Sequence, residues 1–554
     1  MKIFWKLSIA LIPAVLFSSC LEETFPTDRA TIEQVGESPV AIEAMVRGIS
    51  AALIEPGPQS LRDASNSAPS WSFGLPAIHI ATESMTGDLV IANADMTGRD
   101  HFGSWGTARN LNLNDSRTEL MWHLYWGWIM IANDLIAAID EDPQEETLRA
   151  YKGMAHGLRA KCYLDLVRLY EFKENKYTSA PDALGLGVPI VTEETSGDDA
   201  KDNPRVKVEQ NYELIFSDLD MAEVMLAKYD FTKVEITLPV IYGLQARAYL
   251  ERGTAGVAGA FAKAEEYARK AITASKCTPL TYAQWKDPKT GFNSRSSNSS
   301  WMWCAPQAAD AVTNLRNWTA HMSSEEDWTT YGKGPSRAIN PLLYAKIPDN
   351  DFRKYSWLDP DFAKYESMYE STRTDAKKHF SSYLKPYAHI KFRPGQGDYI
   401  NYKTGNATDF LLMRVEEMYF IEAEAAAHTD LAKGKRLLNE FMELRYTLDV
   451  PDTSPYDCSD ITTVEAFTEE LMIQKRIEFW GEGILLYDFK RLAISNSRGY
   501  KGTNSPALYR FNHEGRAPYW NYVIPAAETL NNRALDGYNN PNFQGELDLW
   551  TGEP

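Results

Sequence analysis

Cysteine is scarce in this chain. Five occur in 554 residues, Cys20, Cys162, Cys277, Cys304 and Cys458, and no two form a CxxC pair. That removes the thiolate spacing of structural zinc sites. A chain this long needs no disulfide staples to build a core, and the sequence leaves open whether Cys277 and Cys304 pair. Positive charge is also short, with 57 Lys+Arg against 76 Asp+Glu, a formal net charge of −19, and no basic run after residue 10. A nucleic-acid partner, which needs clustered Lys and Arg, is therefore disfavoured. Long apolar runs are missing beyond residue 20. The best, Ile129 to Ile139, carries Asn133 and Asp134, so nothing there suits ~30 Å of hydrocarbon. Catalytic signatures are absent too: there is no GxSxG elbow, no HExxH and no GxxxxGK[ST] loop. The nine histidines are scattered, and His79 with Glu83, four apart, reads as a structural pair. The run Asn93-Ala94-Asp95-Met96-Thr97-Gly98 has a calcium-loop outline, but Ser104 stands where the bidentate Glu belongs. No metal and no cofactor is expected. A carboxylate pair for glycoside hydrolysis is invisible without geometry; Glu416 and Glu417 read as solvated.

What is present begins with an address. Lys2 and Lys6 precede an apolar run from Leu7 to Phe17, broken by Ser8 and Pro13, and then Ser18, Ser19 and Cys20. This is the pattern of a secretory signal peptide, and a Cys directly after its small residues looks like a bacterial lipobox, with Phe17 where Leu is usual. The expectation is cleavage before Cys20, lipidation of its thiol, and a protein anchored to a membrane without spanning it.

The composition beyond is ordinary for a globular protein, 44% apolar and 24% charged, and the length suggests about three to four domain-sized units. From Gln144 to Phe172, Leu148, Tyr151, Ala155, Leu158, Cys162, Leu166 and Leu169 recur at helical spacing. Val208 to Leu226 repeats the pattern. Val240 to Leu250 and Ala260 to Ala274 form a pair in which Ala264, Ala268 and Ala271 share one face. That pair looks like a tetratricopeptide unit with a lengthened turn. A second pair is expected from Leu411 to Leu444, broken near Thr429 and Asp430. Trp122 and Trp126, four apart on a helix, read as core.

Two stretches lose this period. Residues 71–110 hold Trp71, Phe73, Phe102 and Trp105 among Asn93, Asp95, Arg99 and Asp100. Residues 282–331 hold Tyr282, Trp285, Trp301, Trp303, Trp318, Trp328 and Tyr331, and Trp357 follows. Tryptophan in polar loops packs or binds, and long loops on a rigid scaffold are where function concentrates. A pyranose has an apolar C–H face suited to an aromatic ring and a hydroxyl edge suited to Asn, Asp and Arg. The two regions are expected to meet on one face of the helical body. Trp105, Trp301, Trp318 and Trp328 are the stacking candidates, and Asn93, Asp95 and Arg99 the polar ones.

Several strings together resemble the SusD/RagB family. They are Met154-Ala155-His156-Gly157-Leu158-Arg159-Ala160-Lys161-Cys162-Tyr163-Leu164-Asp165-Leu166-Val167-Arg168-Leu169-Tyr170, then Gly187-Val188-Pro189-Ile190-Val191-Thr192 and Arg205 to Leu226. Leu412-Met413-Arg414-Val415-Glu416-Glu417-Met418-Tyr419-Phe420-Ile421-Glu422-Ala423-Glu424-Ala425 and Lys475-Arg476-Ile477-Glu478-Phe479-Trp480-Gly481-Glu482-Gly483 follow. Tyr487-Asp488-Phe489-Lys490-Arg491, Ile524-Pro525 and Asn540-Pro541-Asn542-Phe543 complete the set in order. The acidic segment Leu21 to Asp28 also resembles the export signal of Bacteroidetes surface lipoproteins. The resemblance implies an all-α fold, an α-α superhelix of tetratricopeptide-like helical pairs carrying a loop-rich ligand-binding region. It implies a non-enzymatic outer-membrane lipoprotein that captures glycans for a SusC-type TonB-dependent transporter. A peptide-binding RagB-like role is the alternative; a scaffold without ligand and a glycoside hydrolase stand further off. The parts would be a signal peptide over 1–19, an N-terminal SusD-like helical region with some ligand loops over 20–230, the helical pair over 231–280, and a C-terminal region with long aromatic loops over 281–554.

Substituting Cys20→Ala is expected to release the protein from membranes, read by fractionation and lipid labelling. A variant still found in the outer-membrane fraction would refute lipid anchoring through this residue.

Overall fold

Helices form the body because most of the long amphipathic stretches bury their apolar stripes against one another. The computed structural model describes residues 32–57, 68–91, 102, 111–230, 232–329, 331–543 and 547–552. Cys20, Asn93, Asp95, Arg99 and Trp105 lie outside the described residues. In chain order, the helices that matter are α1 (Pro39–Ala52), α2 (Leu75–Thr86), α3 (Ser116–Ala138), α4 (Glu146–Tyr170) and α5 (Val208–Leu226). Then come α6 (Leu238–Thr254), α7 (Ala260–Ser275), the short α8 (Trp318–Met322), α9 (Val415–Ala427), α10 (Leu431–Met442), α11 (Val464–Glu478) and α12 (Leu485–Leu492). Successive helices pack as hairpins, α3 on α4, α4 on α5, α6 on α7 and α9 on α10, and α9 lies against α7. The fold is all-α, of tetratricopeptide-like pairs. Among the described residues the strands make three two-stranded pieces, and no helix is long and apolar enough to cross a membrane.

The predicted helices fall where their periodicity puts them. The alanine stripe of α7, Ala264, Ala268 and Ala271, is fully buried, so the backbones of neighbouring helices approach closely. Helix α4 is enclosed on nearly every face. There Gly157 faces α6 so closely that a Cβ would stand 2.7 Å from Ile241 Cδ1. A helix buried all round must pair its charges. Arg159 accordingly donates to both oxygens of Asp218 at 2.8 Å, and Lys161 lies 2.8 Å from Asp165. Trp122 is core and Trp126 is half-buried, their rings 5.3 Å apart. One contiguous apolar cluster runs from Ile42 to Leu535 through all of these helices, the short α8 included through Met322. The four cysteines among the described residues are free.

Two expectations are corrected. Leu411 to Arg414 do not begin a helix: Asp409–Arg414 is strand β4, antiparallel to β2 (Trp301–Pro306), and α9 starts only at Val415. (β1 is Leu89–Ile91 and β3 is Arg337–Ile339, paired antiparallel.) Nor are Glu416 and Glu417 solvated. Both are buried, because each meets an arginine from another element. Arg247 of α6 grips Glu417 with two bonds of 2.7 and 2.6 Å. Glu416 accepts from the Leu280 amide at 2.7 Å and lies 3.3 Å from Arg414.

Glu416 belongs to a larger buried ionic network centred on Glu478. The two carboxylate oxygens of Glu478 accept from Arg353 (3.1 Å), Arg414 (2.7 Å) and Arg445 (2.9 Å, twice). Arg414 also forks onto Glu482 at 2.8 and 2.9 Å. Lys391 binds Glu482 at 2.6 Å and the carbonyls of Glu478 and Trp480. Burial alone would raise the Glu478 carboxyl; Arg445, Arg414 and Arg353 outweigh it and hold it well below the usual carboxylate range. A second buried carboxyl does the reverse. Glu83 of α2 accepts from the amides of Gly481 (2.9 Å) and Gly483 (3.1 Å). Burial pushes it up to about 8 against the pull of those two donors.

Glu478→Gln should leave three buried guanidiniums without their shared anion and lower the unfolding free energy by about 3–5 kcal/mol in urea titration. A loss below ~1 kcal/mol would show that the arginines do not depend on it. Because the Glu83 carboxyl is raised on folding, the stability it contributes is complete below its unfolded value near 4.5 and is lost as pH rises through about 8. Between those limits the parent should lose up to about 1.4 kcal/mol per pH unit relative to Glu83→Gln. Parallel stability curves for the two proteins would refute the assignment.

Candidate functional site

The loop after β2 closes on itself through Asn317. Its side chain accepts from the Ala320 amide at 2.9 Å, starting α8, and donates to the Thr313 carbonyl at 2.8 Å. Helix α8 thereby aims His321 inward, where it is fully buried. The imidazole stacks on Phe73 at 4.9 Å and on Tyr331 at 5.0 Å, with Phe102 edge-on at 5.3 Å. Its Nε2 lies 3.0 Å from the Ser70 carbonyl, to which it donates, and Arg316 donates to the Ala68 carbonyl at 3.1 Å. The described parts of the two irregular regions therefore meet, as their composition predicts, with His321 as the joint.

Two further segments, which the sequence did not single out, complete the assembly. Asp327 donates its amide to the Tyr399 carbonyl at 2.8 Å, and Asn406 donates to the Thr313 carbonyl at 2.9 Å. Arg373 donates to the Glu325 carbonyl at 2.6 Å, lies 3.1 Å from Asp327, and covers the Tyr399 ring at 4.4 Å. No periodicity marks Arg373 or Tyr399, and they sit more than forty residues beyond the loop they join, so only the fold brings them here.

The stretch from His389 to Arg393 ties this assembly to the ionic network. His389 Nε2 donates to the Met322 carbonyl at 2.6 Å. Lys391 enters the network around Glu478, and Arg393 reaches the buried Glu325 at 2.6 Å. Between them Phe392 meets Trp318 edge-on at 5.2 Å. His379 Nε2 adds a bond to the Ser324 carbonyl at 2.8 Å. Burial holds His379 below the ordinary imidazole value and pulls His389 down to about 3. Both rings therefore stay neutral near pH 7 and serve as single N–H donors. Burial also pushes the Glu326 carboxyl up to about 7, although Thr329 bonds it through both amide and hydroxyl.

The stacking candidates separate on this frame. Trp301 is wholly enclosed in β2, opposite Arg414, so its ring offers no face to a ligand; the strand, not a loop, claims it. Trp285, Trp303 and Trp357 are likewise core. Trp318 and Trp328 are half-buried, as are Trp71, Tyr331 and Tyr399. Gly405 backs the Trp328 ring so closely that a Cβ there would collide with it. Arg117 lies over Trp71 at 5.2 Å, and Lys333 over the half-exposed Tyr383 at 5.6 Å. Partly exposed rings thus stand beside Arg373, Asp327 and Lys333 on loops pinned from below. Such an array can stack on a flat apolar face and bond the polar edge of the same molecule. Among the described residues, no group of three His, Cys, Asp or Glu side chains is placed to hold a metal ion.

Comparison with known proteins agrees with this architecture. Residues 77–250 match a SusD-like family model described as starch-binding and associating with the outer membrane, and residues 284–551 match that of the SusD family. No curated protein matches the chain. A SusD-like carbohydrate binding protein from Bacteroides vulgatus is 23% identical, with a TM-score of 0.66 over 91% of this chain and 98% of that one. A SusD superfamily protein from Bacteroides thetaiotaomicron is 20% identical, with a TM-score of 0.64 over 90% and 99%. One from Parabacteroides distasonis is 16% identical, with a TM-score of 0.62 over 91% and 98%. At these identities the structures share the fold, while the two family matches together span most of the sequence: the chain belongs to the SusD/RagB family.

Proposed function

We propose that this protein is a non-enzymatic, lipid-anchored outer-membrane receptor that captures glycans and passes them to a SusC-type TonB-dependent transporter. The observation that carries the reading is the set of half-buried rings Trp318, Trp328, Tyr331 and Tyr399 on loops locked by neutral histidines, with Arg373 over Tyr399 and 3.1 Å from Asp327. Rigid rings lose little entropy on stacking, and the flanking charged groups suit sugar hydroxyls. The description of the matching family as starch-binding, and the carbohydrate-binding relative from Bacteroides vulgatus, support a sugar over a peptide. Trp105, Asn93, Asp95 and Arg99 remain part of the proposed surface, because Phe102, between them in sequence, packs on His321. Cys20 remains the proposed anchor, and the domain limits of 20–230, 231–280 and 281–554 remain part of the reading.

Trp318→Ala and Trp328→Ala should each weaken binding of the best ligand from a glycan and peptide panel by ~1–2 kcal/mol, about 5- to 30-fold in calorimetry. Trp301→Ala should instead cost about 3–5 kcal/mol of stability through its cavity. If both loop variants keep their fold by circular dichroism and bind like the parent, the site lies elsewhere. A panel in which only peptides bind would replace glycan with peptide. Turnover of the bound glycan at ~1 per second would make the protein an enzyme.

A further inference from the structure

Trp328 sits on a segment with no regular structure to aim it. From Ser324 to Thr329 the backbone is neither helix nor strand. Among the described residues, no amide of this stretch donates to a carbonyl within it. The ring does not hold itself either. It is half-buried, and its indole N–H has no partner among the described residues. One edge rests on the backbone of Gly405, where a Cβ would stand 2.3 Å from Trp328 Cη2. A ring stacks well on a ligand when its plane is already fixed, because ordering it at the moment of binding costs side-chain entropy.

The group that fixes this turn is the side chain two residues earlier. Glu326 is fully buried. One of its carboxylate oxygens accepts from the Thr329 amide at 2.7 Å, the other from the Thr329 hydroxyl at 3.1 Å. These bonds close a ring around Asp327 and Trp328, and the first stands in for a backbone bond that the turn lacks. The same hydroxyl accepts from the Tyr331 amide at 3.0 Å and lies 3.4 Å from the Ala320 carbonyl of α8. Ahead of the turn, the Asp327 amide is held by the Tyr399 carbonyl at 2.8 Å. Glu326 differs from both neighbouring acids in what it binds. Glu325 pairs with Arg393 at 2.6 Å, and Asp327 with Arg373 at 3.1 Å. Among the described residues, the hydrogen bonds of Glu326 go to Thr329 alone. Lys333 and Asp327 act on it as nearby charges without bonding it. A carboxyl enclosed in this way offers no atom to a ligand; its bonds to Thr329 are what offset its burial.

We propose that Glu326 is the positioning residue of the candidate site: acting through Thr329, it fixes the turn that presents Trp328 and leads into Tyr331, and it touches no ligand itself. Its effect on binding rests on the glycan reading; its hold on the ring rests on the turn alone. Glutamine in its place preserves the bonds. The amide oxygen accepts from the Thr329 N–H, and the NH2 donates to the hydroxyl, which then turns toward the Ala320 carbonyl. Alanine leaves the Thr329 amide unpaired and the turn open.

Two measurements on the full-length protein test this. The first needs no ligand. With 5-fluorotryptophan incorporated, the fluorine resonance of Trp328, identified by its loss in Trp328→Phe, should keep its position in Glu326→Gln and shift or broaden in Glu326→Ala. The second is calorimetric titration of maltoheptaose, a soluble starch fragment, or of the tightest glycan of the panel where maltoheptaose does not saturate. Glu326→Ala should weaken binding about 5-fold or more, and Glu326→Gln should regain most of that loss. In a Trp328→Ala background the Glu326→Ala change should cost less than about 2-fold, because the ring it positions is already gone. Where Glu326→Ala does not fold, Thr329→Val, which keeps the amide and removes the hydroxyl, takes its place and should move both readings in the same direction. An unmoved fluorine resonance in Glu326→Ala, parent-like affinity where Trp328→Ala has lost it, a glutamine variant as weak as the alanine one, or the full loss persisting without Trp328 would each overturn the proposal. If Trp328→Ala binds glycan like the parent, the glycan reading fails at this ring, and the fluorine comparison still decides whether Glu326 sets it.

Discussion

The carboxylate of Glu478 is shared by Arg353, Arg414 and Arg445 in an interior with almost no water contact. These side chains come from the end of α11, the strand before α9, the turn after α10 and the 3₁₀ helix Phe352–Ser356. Taking such charges out of water costs several kcal/mol per ion, recovered only where geometry and partners are complete. Here they are complete, with Asp351, Gln474, Glu416, Glu482 and backbone carbonyls occupying further donors. An arrangement that tolerates one geometry fixes how the elements of the second half of the chain meet.

The loop face inherits that precision through the stretch from His389 to Arg393. Its alternate residues reach in turn to the loop carbonyl of Met322, the ionic network, and the loop carboxylate of Glu325. The irregular region around α8 is therefore not free of the body; it is fastened at several points by neutral imidazoles and buried ion pairs. This is how long segments without regular structure hold rings half exposed at defined positions. Glu83 fastens α2 to the turn of Gly481 and Gly483 from the opposite side, which joins the two halves of the chain.

Helical periodicity in α4, α5, α6 and α7 was legible because each element buries a stripe whose spacing follows from the helix itself. The loops that carry the candidate site were legible as composition only: aromatic, Asn-rich and without period. What was misread has a common cause. Glu416 and Glu417 look solvated, and Trp301 looks available, when the partners that enclose them are not in view. Those partners, Arg247, Arg445 and strand β4, lie far away in sequence. The strings that carry the family resemblance are the ones whose charges are buried, so their regularity reports interior pairing rather than ligand contact.

The sequence by itself determined the helical class, the pairing of α6 with α7 and the expectation that two aromatic regions converge, since these rest on local spacing and composition; the family followed from the resemblance of its strings. Only the tertiary structure decided which rings stay at the surface and which charges go inside. It also decided that Arg373 and Tyr399 join the loop. The reason is that exposure and charge pairing depend on neighbours brought together by chain crossings, and spacing along a single segment carries no information about them.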